Sequence, residues 1–451
     1  MPEIAQILND RYCFHFTHMK NLGSIIENGL LCTNLKEKSK IKHFNVASEG
    51  IQLRRSRMEV TCGPKGVVHD YVPFYLTAKN PMFLRLLNTK NVDQQDMVIL
   101  AIPLKGLLGK NTVFTDASAN TEVEPNFYTD EKDLTQLNWT EIDSKAWSSK
   151  TDELRHQKMA EVLVHGKVEM SQVEYIIVFN EHYRDKVKEV FAEKKQPLPK
   201  FSYLDFKGIY FYYTKFTVKG KERQSLITGP RTLRAKFKLL VKELEKKHAE
   251  KREGKYRFAN LSAALSAVED NFCAIKELEG IHKLKTDNKV HKENVSDHTL
   301  KVVSNLLGVD YYKILPGEDK MILEFSAYLH DIGKGPASKW AGGIQPSYPD
   351  HPADGVEMLY RILNEDIKTL SPYQIRTVSL LVVYHDLIGE IMFKDRGRQQ
   401  LLDVVSSKKE LKMLAALNGA DIKALNPAWT FNYKRDINTF VRGVIDEMEL
   451  A

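Results

Sequence analysis

The chain has 451 residues, 43% of them hydrophobic and 28% charged, with a formal net charge of +7. That length exceeds what one hydrophobic core serves and makes two domains with a connector the expectation. No apolar run approaches the roughly 20 residues of a membrane helix, and the opening MPEIAQILNDRY has no basic segment leading into an apolar one, so a cytoplasmic protein without a secretory signal is expected.

The four cysteines, Cys13, Cys32, Cys62 and Cys273, lie far apart with no CxxC pair, which argues against a zinc ribbon and against a disulfide framework. The positive charge favours a polyanionic partner wherever it clusters.

In chain order, Phe14-His15-Phe16-Thr17-His18 alternates apolar and polar residues before Asn21, Leu22 and Ser24. This reads as a strand entering a helix, its polar groups either offered to a ligand or satisfied within the fold. Arg54, Arg55 and Arg57 follow close together, suited to phosphates by bidentate bonding or to a solvated face. His69-Asp70-Tyr71-Val72-Pro73-Phe74-Tyr75-Leu76, then Asn80-Pro81-Met82, interleaves aromatic and polar groups, as a nucleotide wall or a core edge would. The runs at 97–104, 160–166 and 174–179 read as strands, and in AEVLVHG Glu161, Leu163 and His165 share one strand face. The aromatic residues between Phe201 and Tyr213 suit a core edge or a base-stacking surface.

Gly229 and Pro230 open a helix in which Leu233, Phe237, Leu240 and Leu244 recur at heptad-like spacing. Its remaining faces carry Arg234, Lys236, Lys238, Lys242, Lys246, Lys247, Lys251 and Arg252, a basic stripe that either follows a phosphate backbone or is solvated. From residue 256 onward the apolar periodicity is helical. The expected class is thus α+β: a mixed α/β domain over 1–215, a connector with a basic amphipathic helix over 216–255, and an all-α domain over 256–451.

The ordered set FHFTH, Arg54-Arg55, HDYVPFYL with NPM, VFTD at 113–116 and KMAEVLV at 158–164 resembles the DarT toxins, over residues 11 to about 180. The resemblance implies an ADP-ribosyltransferase fold that moves ADP-ribose from NAD to a base of single-stranded DNA, with an antitoxin as partner and a toxin or phage-defence role. It places NAD contacts on His15, Phe16, Thr17, Ser24, Cys32, Arg54 and Tyr71, and catalysis on Arg54 and Glu161. Heterolysis of the nicotinamide–ribose bond develops oxocarbenium character, which a carboxylate stabilises. Arg54 is expected to act electrostatically, since a guanidinium stays protonated. Glu124, Pro125 and Asn126 depart from the run that thymidine-modifying members carry, so thymidine is the first expectation for the target, and guanosine or an RNA base the alternative.

In the second half, His298 opens a helix, His330 and Asp331 end one that Gly333 terminates, and Asp421 lies in NGADIKAL. Helix-borne ligands in this order make a compact metal site and resemble the HD superfamily of metal phosphohydrolases. His351 and His385 fall where its two-metal members carry further ligands, and Lys334 is placed to hold a substrate phosphate. Mn, Mg or Fe fits such a donor set, and a nucleotide or another phosphoester is the expected substrate. Three relations between the halves stay open: an HD enzyme that regulates or reverses the transferase, an HD nuclease or nucleotidase with the first half as targeting module, and a non-catalytic HD module.

Overall fold

Met97–Pro103 is apolar without alternation, which suits a strand covered on both faces, and in the computed structural model it lies inside an eight-stranded sheet. The structure describes residues 3–46, 49–120, 123–203, 205–206, 209–213, 215–216, 224–225, 227–250, 253–287, 293–426 and 428–450. Two units divide the chain, Met1–Tyr213 and Thr214–Ala451.

The sheet of the first unit is formed by β1 Tyr12–His18, β2 Tyr71–Tyr75, β3 Met97–Pro103, β4 Thr112–Thr115, β5 Phe127–Tyr128, β6 Glu161–His165, β7 Tyr175–Ile177 and β8 Lys200–Ser202. Their order is β8-β7-β3-β1-β2-β6-β4-β5, antiparallel except for β7 with β8. One face is buried by Cys13, Val72, Phe74, Leu100, Val162 and Ile176. All four cysteines are free.

One irregularity positions the site. β1 pairs with β3 along its whole length, from Tyr12–Pro103 to His18–Met97, but meets β2 only at Phe14–Tyr75. Next to that pair the His15 ring takes up the link between the strands, its Nδ1 bonded to the Pro73 carbonyl at 2.9 Å. Helices α1 Leu22–Asn28 and α2 Glu49–Arg55 come from the segments following β1.

The second unit is helical in its core: α3 Pro230–Ala249, α4 Val295–Leu306, α5 Gly317–Leu329, α6 His351–Arg361, α7 Pro372–Tyr384, α8 Leu387–Phe393, α9 Lys408–Leu425 and α10 Trp429–Leu450. Two short parallel strand pairs accompany them, Phe258–Asn260 with Ile367–Thr369 and Lys285–Asp287 with Ile344–Pro346. The connector expected over 216–255 requires correction. Helix α3 belongs to the second unit, with Leu233, Phe237, Leu240, Val241 and Leu244 buried in its core. Each such side chain gains about 1.5–3 kcal/mol on burial, so this face does not stay in water. Lys238, Lys242 and Lys246 of the basic stripe are exposed, Arg234 pairs with Asp403, and Lys251 and Arg252 lie outside the described residues.

Candidate active site and candidate metal centre

In β6, Glu161 is 0% exposed. Both of its oxygens accept from Arg55 Nη1 at 3.0 Å, Oε2 accepts a further bond from Arg55 Nη2 at 3.1 Å, and Oε1 accepts from the Ala119 backbone N–H at 3.0 Å. Arg55 itself is 6% exposed. Burial works against its charge, but the Glu161 carboxylate outweighs that and raises its pKa.

The partner of Glu161 is therefore Arg55, a residue to which the sequence assigned no role of its own beside Arg54. Arg54 is exposed, and its Nε donates to the Asn120 carbonyl at 3.0 Å. Helical spacing explains the difference: Ile51 and Arg55, four residues apart in α2, are both buried, while Leu53 and Arg54 face outward.

Strand alternation separates the expected NAD contacts. Phe14, Tyr75 and Glu161 are register partners across β1, β2 and β6, so they share a face with Phe16, whose ring stacks on Tyr75 at 5.6 Å. Phe16, Tyr75, Phe83, Thr77 and Asn80 line a pocket on that side, and Thr77 Oγ1 and Asn80 Nδ2 are buried without hydrogen-bond partners. His15 and Thr17 occupy the other face of β1. Thr17 Oγ1 accepts from Asn21 Nδ2. Burial lowers His15 to about 4, with Lys36 adding to the shift against the Pro73 bond, so the ring is neutral and Nε2 carries a lone pair.

Burial and then Arg55 lower His69, and Lys36 acts on both His69 and His15. His69 Nε2 is buried without a hydrogen-bond partner, a polar group that the sequence reading passed over although it opens HDYVPFYL.

Ser24 lies half-buried in α1, bonded to Asn28. Cys32 is buried, with its backbone N–H on the Gly166 carbonyl. Tyr71 is corrected from a cofactor contact to a core residue: it is 1% exposed, it joins Met58, Val113 and Leu163, and its hydroxyl donates to the Lys65 carbonyl at 2.7 Å. In the departing segment, Asn126 is fastened to Asp116 by backbone and side chain.

In the second unit four helix ends converge. His298 comes from the first turns of α4, His330 and Asp331 follow α5, His351 begins α6, His385 follows α7, and Asp421 lies in α9. All six are buried. The rings of His330, His351 and His385 each bond through Nδ1 to the carbonyl three residues earlier, of Ala327, Tyr348 and Val382. This repeated bond turns every Nε2 inward, which is how metal-ligating imidazoles are oriented. His298 Nε2 lies 2.9 Å from Asp421 Oδ1 and 3.7 Å from Asp331 Oδ2. His330 Nε2 lies 3.3 Å from Asp331 Oδ2 without forming a hydrogen bond to it.

On the other side, His351 Nε2 is 3.3 Å from Asp331 Oδ1 and 3.0 Å from His385 Nε2. Two donor groups suited to a metal thus share Asp331: His298, His330 and Asp331, and Asp331, His351 and His385. Lys334 Nζ donates to Asp331 Oδ2 at 2.6 Å. Burial opposes ionisation of Asp331, but His330 and Lys334 hold its pKa well below the usual carboxylate range. Burial and Lys334 push His351 down to about 3, which leaves a neutral ring suited to ligation.

The sequence reading missed Asp386, whose oxygens lie 3.6 Å from His351 Nε2 and 3.5 Å from His385 Nε2. The signal was present as a second His-Asp dipeptide. Gly333 holds the arrangement together, since a Cβ there would meet the His351 carbonyl oxygen at 1.9 Å.

Residues 14–205 match the family model described as ssDNA thymidine ADP-ribosyltransferase, DarT, and residues 295–419 match the HD domain. A DNA ADP-ribosyl transferase of Thermus sp. (strain 2.9) is 30% identical over 192 residues, which is 41% of this chain and 90% of that protein. A bifunctional uridylyltransferase/uridylyl-removing enzyme of Cereibacter sphaeroides is 27% identical over 179 residues, 36% of this chain and 18% of that protein. Among solved structures, Thermus sp. 2.9 DarT in complex with ADP-ribosylated ssDNA is 27% identical with a TM-score of 0.40, over 44% of this chain and 96% of that one.

Proposed function

This chain belongs to the DarT family of single-stranded DNA thymidine ADP-ribosyltransferases, and from that premise we propose that its first unit transfers ADP-ribose from NAD to a base of single-stranded DNA, thymidine foremost. The observation that carries the reading is the buried Arg55–Glu161 pair on the strand opposite Tyr75. Glu161 is the carboxylate that accepts a bond from the nicotinamide-side ribose and stabilises positive charge as the bond to nicotinamide breaks. A ring nitrogen of the base forms the new bond to that ribose carbon as nicotinamide leaves, and its proton passes to solvent.

Arg55 donates three bonds to Glu161 and Ala119 a fourth, so the carboxylate's lone pairs are taken. A substrate hydroxyl reaches it by replacing an Arg55 donor. The freed guanidinium edge then faces the base, where it favours the deprotonated form electrostatically. The faces of Phe16, Tyr75 and Phe83 beside Glu161 suit stacking by the nicotinamide ring, and the buried, unpartnered Asn80 Nδ2 and Thr77 Oγ1 suit its carboxamide. Exposed Arg54, neutral His15 and His69 serve the phosphates and the ribose hydroxyls.

For the second unit the reading is a metal-dependent phosphohydrolase. His298, His330, Asp331 and Asp421 would hold a divalent cation, Mn, Mg or Fe by their mixed nitrogen and oxygen character, and the fit rests on the inward Nε2 of His330 and on His298 Nε2 beside Asp421 and Asp331. A bound cation there lowers the pKa of water and neutralises phosphoryl charge. Lys334, bonded to Asp331, would hold a substrate phosphate.

Labelled NAD with single-stranded DNA and RNA oligonucleotides tests the first reading. Transfer to DNA by the wild type, lost in Glu161→Ala, supports it, and no transfer to either nucleic acid refutes it.

A further inference from the structure

Charge is unevenly placed in this chain. Helix α3 carries seven Arg and Lys residues against two acidic ones, Glu243 and Glu245, so +5 of the formal net charge of +7 falls on 20 residues. We propose that the exposed face of α3, marked by Lys238, Lys242 and Lys246, binds the backbone of single-stranded DNA. Strand binding by the second unit goes beyond the transferase and phosphohydrolase readings, and only the choice of DNA as occupant rests on the first of them.

A helix charged only for solvation interleaves Glu with Lys at four-residue spacing, which stabilises it. In α3 that spacing joins Lys238 to Lys242 and Lys242 to Lys246, so like charges stand next to one another and oppose the helix. Neighbouring cations are neutralised: Arg234 pairs with Asp403, and Lys247 lies 4.0 Å from Glu250. Lys238, Lys242 and Lys246 are exposed, and among the described residues none of the three meets a carboxylate within ion-pair distance. Glu243 and Glu245 are half-buried on the flanks of the row. Repulsion kept without a counterion inside the protein is what an external polyanion relieves.

Position adds to charge. Leu233, Phe237, Leu240, Val241 and Leu244 anchor the opposite side of α3 in the core, which fixes the row in place. At about 1.5 Å per residue, lysines four positions apart stand about 6 Å apart along the axis, close to the interval between successive phosphates of an extended strand. A single row of this kind follows one backbone, and each lysine that neutralises a phosphate releases a counterion. Leu239, 59% exposed and three residues before Lys242, offers an apolar contact to a sugar or base. With its apolar side committed to the core, α3 has no face to place in a bilayer.

Fluorescence anisotropy of the full chain with labelled single-stranded DNA, without NAD, tests the surface. The triple variant Lys238→Gln, Lys242→Gln, Lys246→Gln should bind a long strand about 10-fold more weakly at physiological salt, and the slope of log affinity against log salt should flatten by about 2, from three phosphate contacts at about 0.7 each. Arginine at all three positions should restore binding, and the melting temperature of the glutamine variant should equal or exceed that of the wild type, since a repulsion is removed. Transfer of ADP-ribose to an oligonucleotide of a few nucleotides should keep its wild-type rate, while KM for the long strand rises. Unchanged affinity and salt slope in the triple variant overturn the proposal, as does a loss confined to RNA or to phosphatidylserine vesicles with DNA binding intact. A wild type that holds long DNA through these lysines yet transfers ADP-ribose to no strand leaves the surface standing and overturns the transferase reading instead.

Discussion

Arg55 and Glu161 lie 106 residues apart in the chain and form a buried pair with three hydrogen bonds between them. Removing one partner leaves an uncompensated charge in the interior, which costs about 3–5 kcal/mol. Arg55→Met and Glu161→Met should each destabilise the protein by about that amount in denaturant unfolding, and the double variant by clearly less. Glu161→Gln keeps the shape and loses the charge, so transfer should fall by about 10²-fold or more. Additive losses in the double variant would show that the pair does not act as a unit.

Arg54 and Arg55 separate by different measurements. Exposed Arg54 has its Nε on the Asn120 carbonyl, and Arg54→Ala should leave stability within about 0.5 kcal/mol. If its guanidinium holds phosphate, KM for NAD should rise about 10-fold with kcat little changed, matching the loss of one charge-assisted bond. A collapse of kcat at Arg54 with Arg55→Ala nearly silent would reverse the assignment.

The sequence disclosed what depends on local pattern and missed what depends on which face a residue occupies. The ordered motifs led to Glu161, and strand alternation placed it opposite Val162. Choosing between Arg54 and Arg55 needed the register of a two-turn helix, which Ile51 carried but which a run of basic residues obscured. His15 and Phe16 were grouped by the resemblance, which does not say that adjacent strand residues face opposite ways. The helix at 230–249 was read as a connector because its lysines drew attention from five apolar residues that required a core. His298, His330, Asp331, His351, His385 and Asp421 were visible as residue types, yet only the folded helix ends bring them together, with the Nδ1 bonds of His330, His351 and His385 turning those rings inward.

His15 gives the first unit a pH dependence of definite sign. Its folded pKa is about 4, whereas an unfolded histidine titrates near 6.5. Between those values the unfolded chain binds a proton that the folded chain does not, so its contribution is complete above about pH 6.5 and is lost as pH falls toward 4. Thermal melts at pH 7 and pH 5 should show this drop, and His15→Gln should reduce it. An equal drop in the variant would assign the effect to other groups.

Gly333 is a steric test of the metal centre. A methyl group there would meet the His351 carbonyl oxygen at 1.9 Å and the Gly355 nitrogen at 2.7 Å. Both are backbone atoms and cannot rotate away. Gly333→Ala should therefore displace the start of α6 from Asp331, at a cost of about 1–3 kcal/mol, and weaken Mn²⁺ binding through His351. Unchanged binding would mean that His351 is not a ligand.

The chemistry of the transferase product offers a test of whether the two units are coupled. ADP-ribose joined to a base still carries a diphosphate, and a metal phosphohydrolase adding water across its P–O–P bond would release AMP and leave a phosphoribosyl base. If the HD unit acts on this product, the wild-type chain with Mn²⁺ should shorten ADP-ribosylated oligonucleotide to the phosphoribosyl form, as read by intact mass. Asp331→Ala, which removes the carboxylate lying between both imidazole pairs, should slow the shortening by about 10-fold or more and leave ADP-ribosylated DNA to accumulate. Glu161→Ala would supply no product of its own, but should still process oligonucleotide modified beforehand, which separates the two centres. Equal ADP-ribosylated DNA in wild type and Asp331→Ala would sink the coupling and favour an HD enzyme acting on an independent phosphoester.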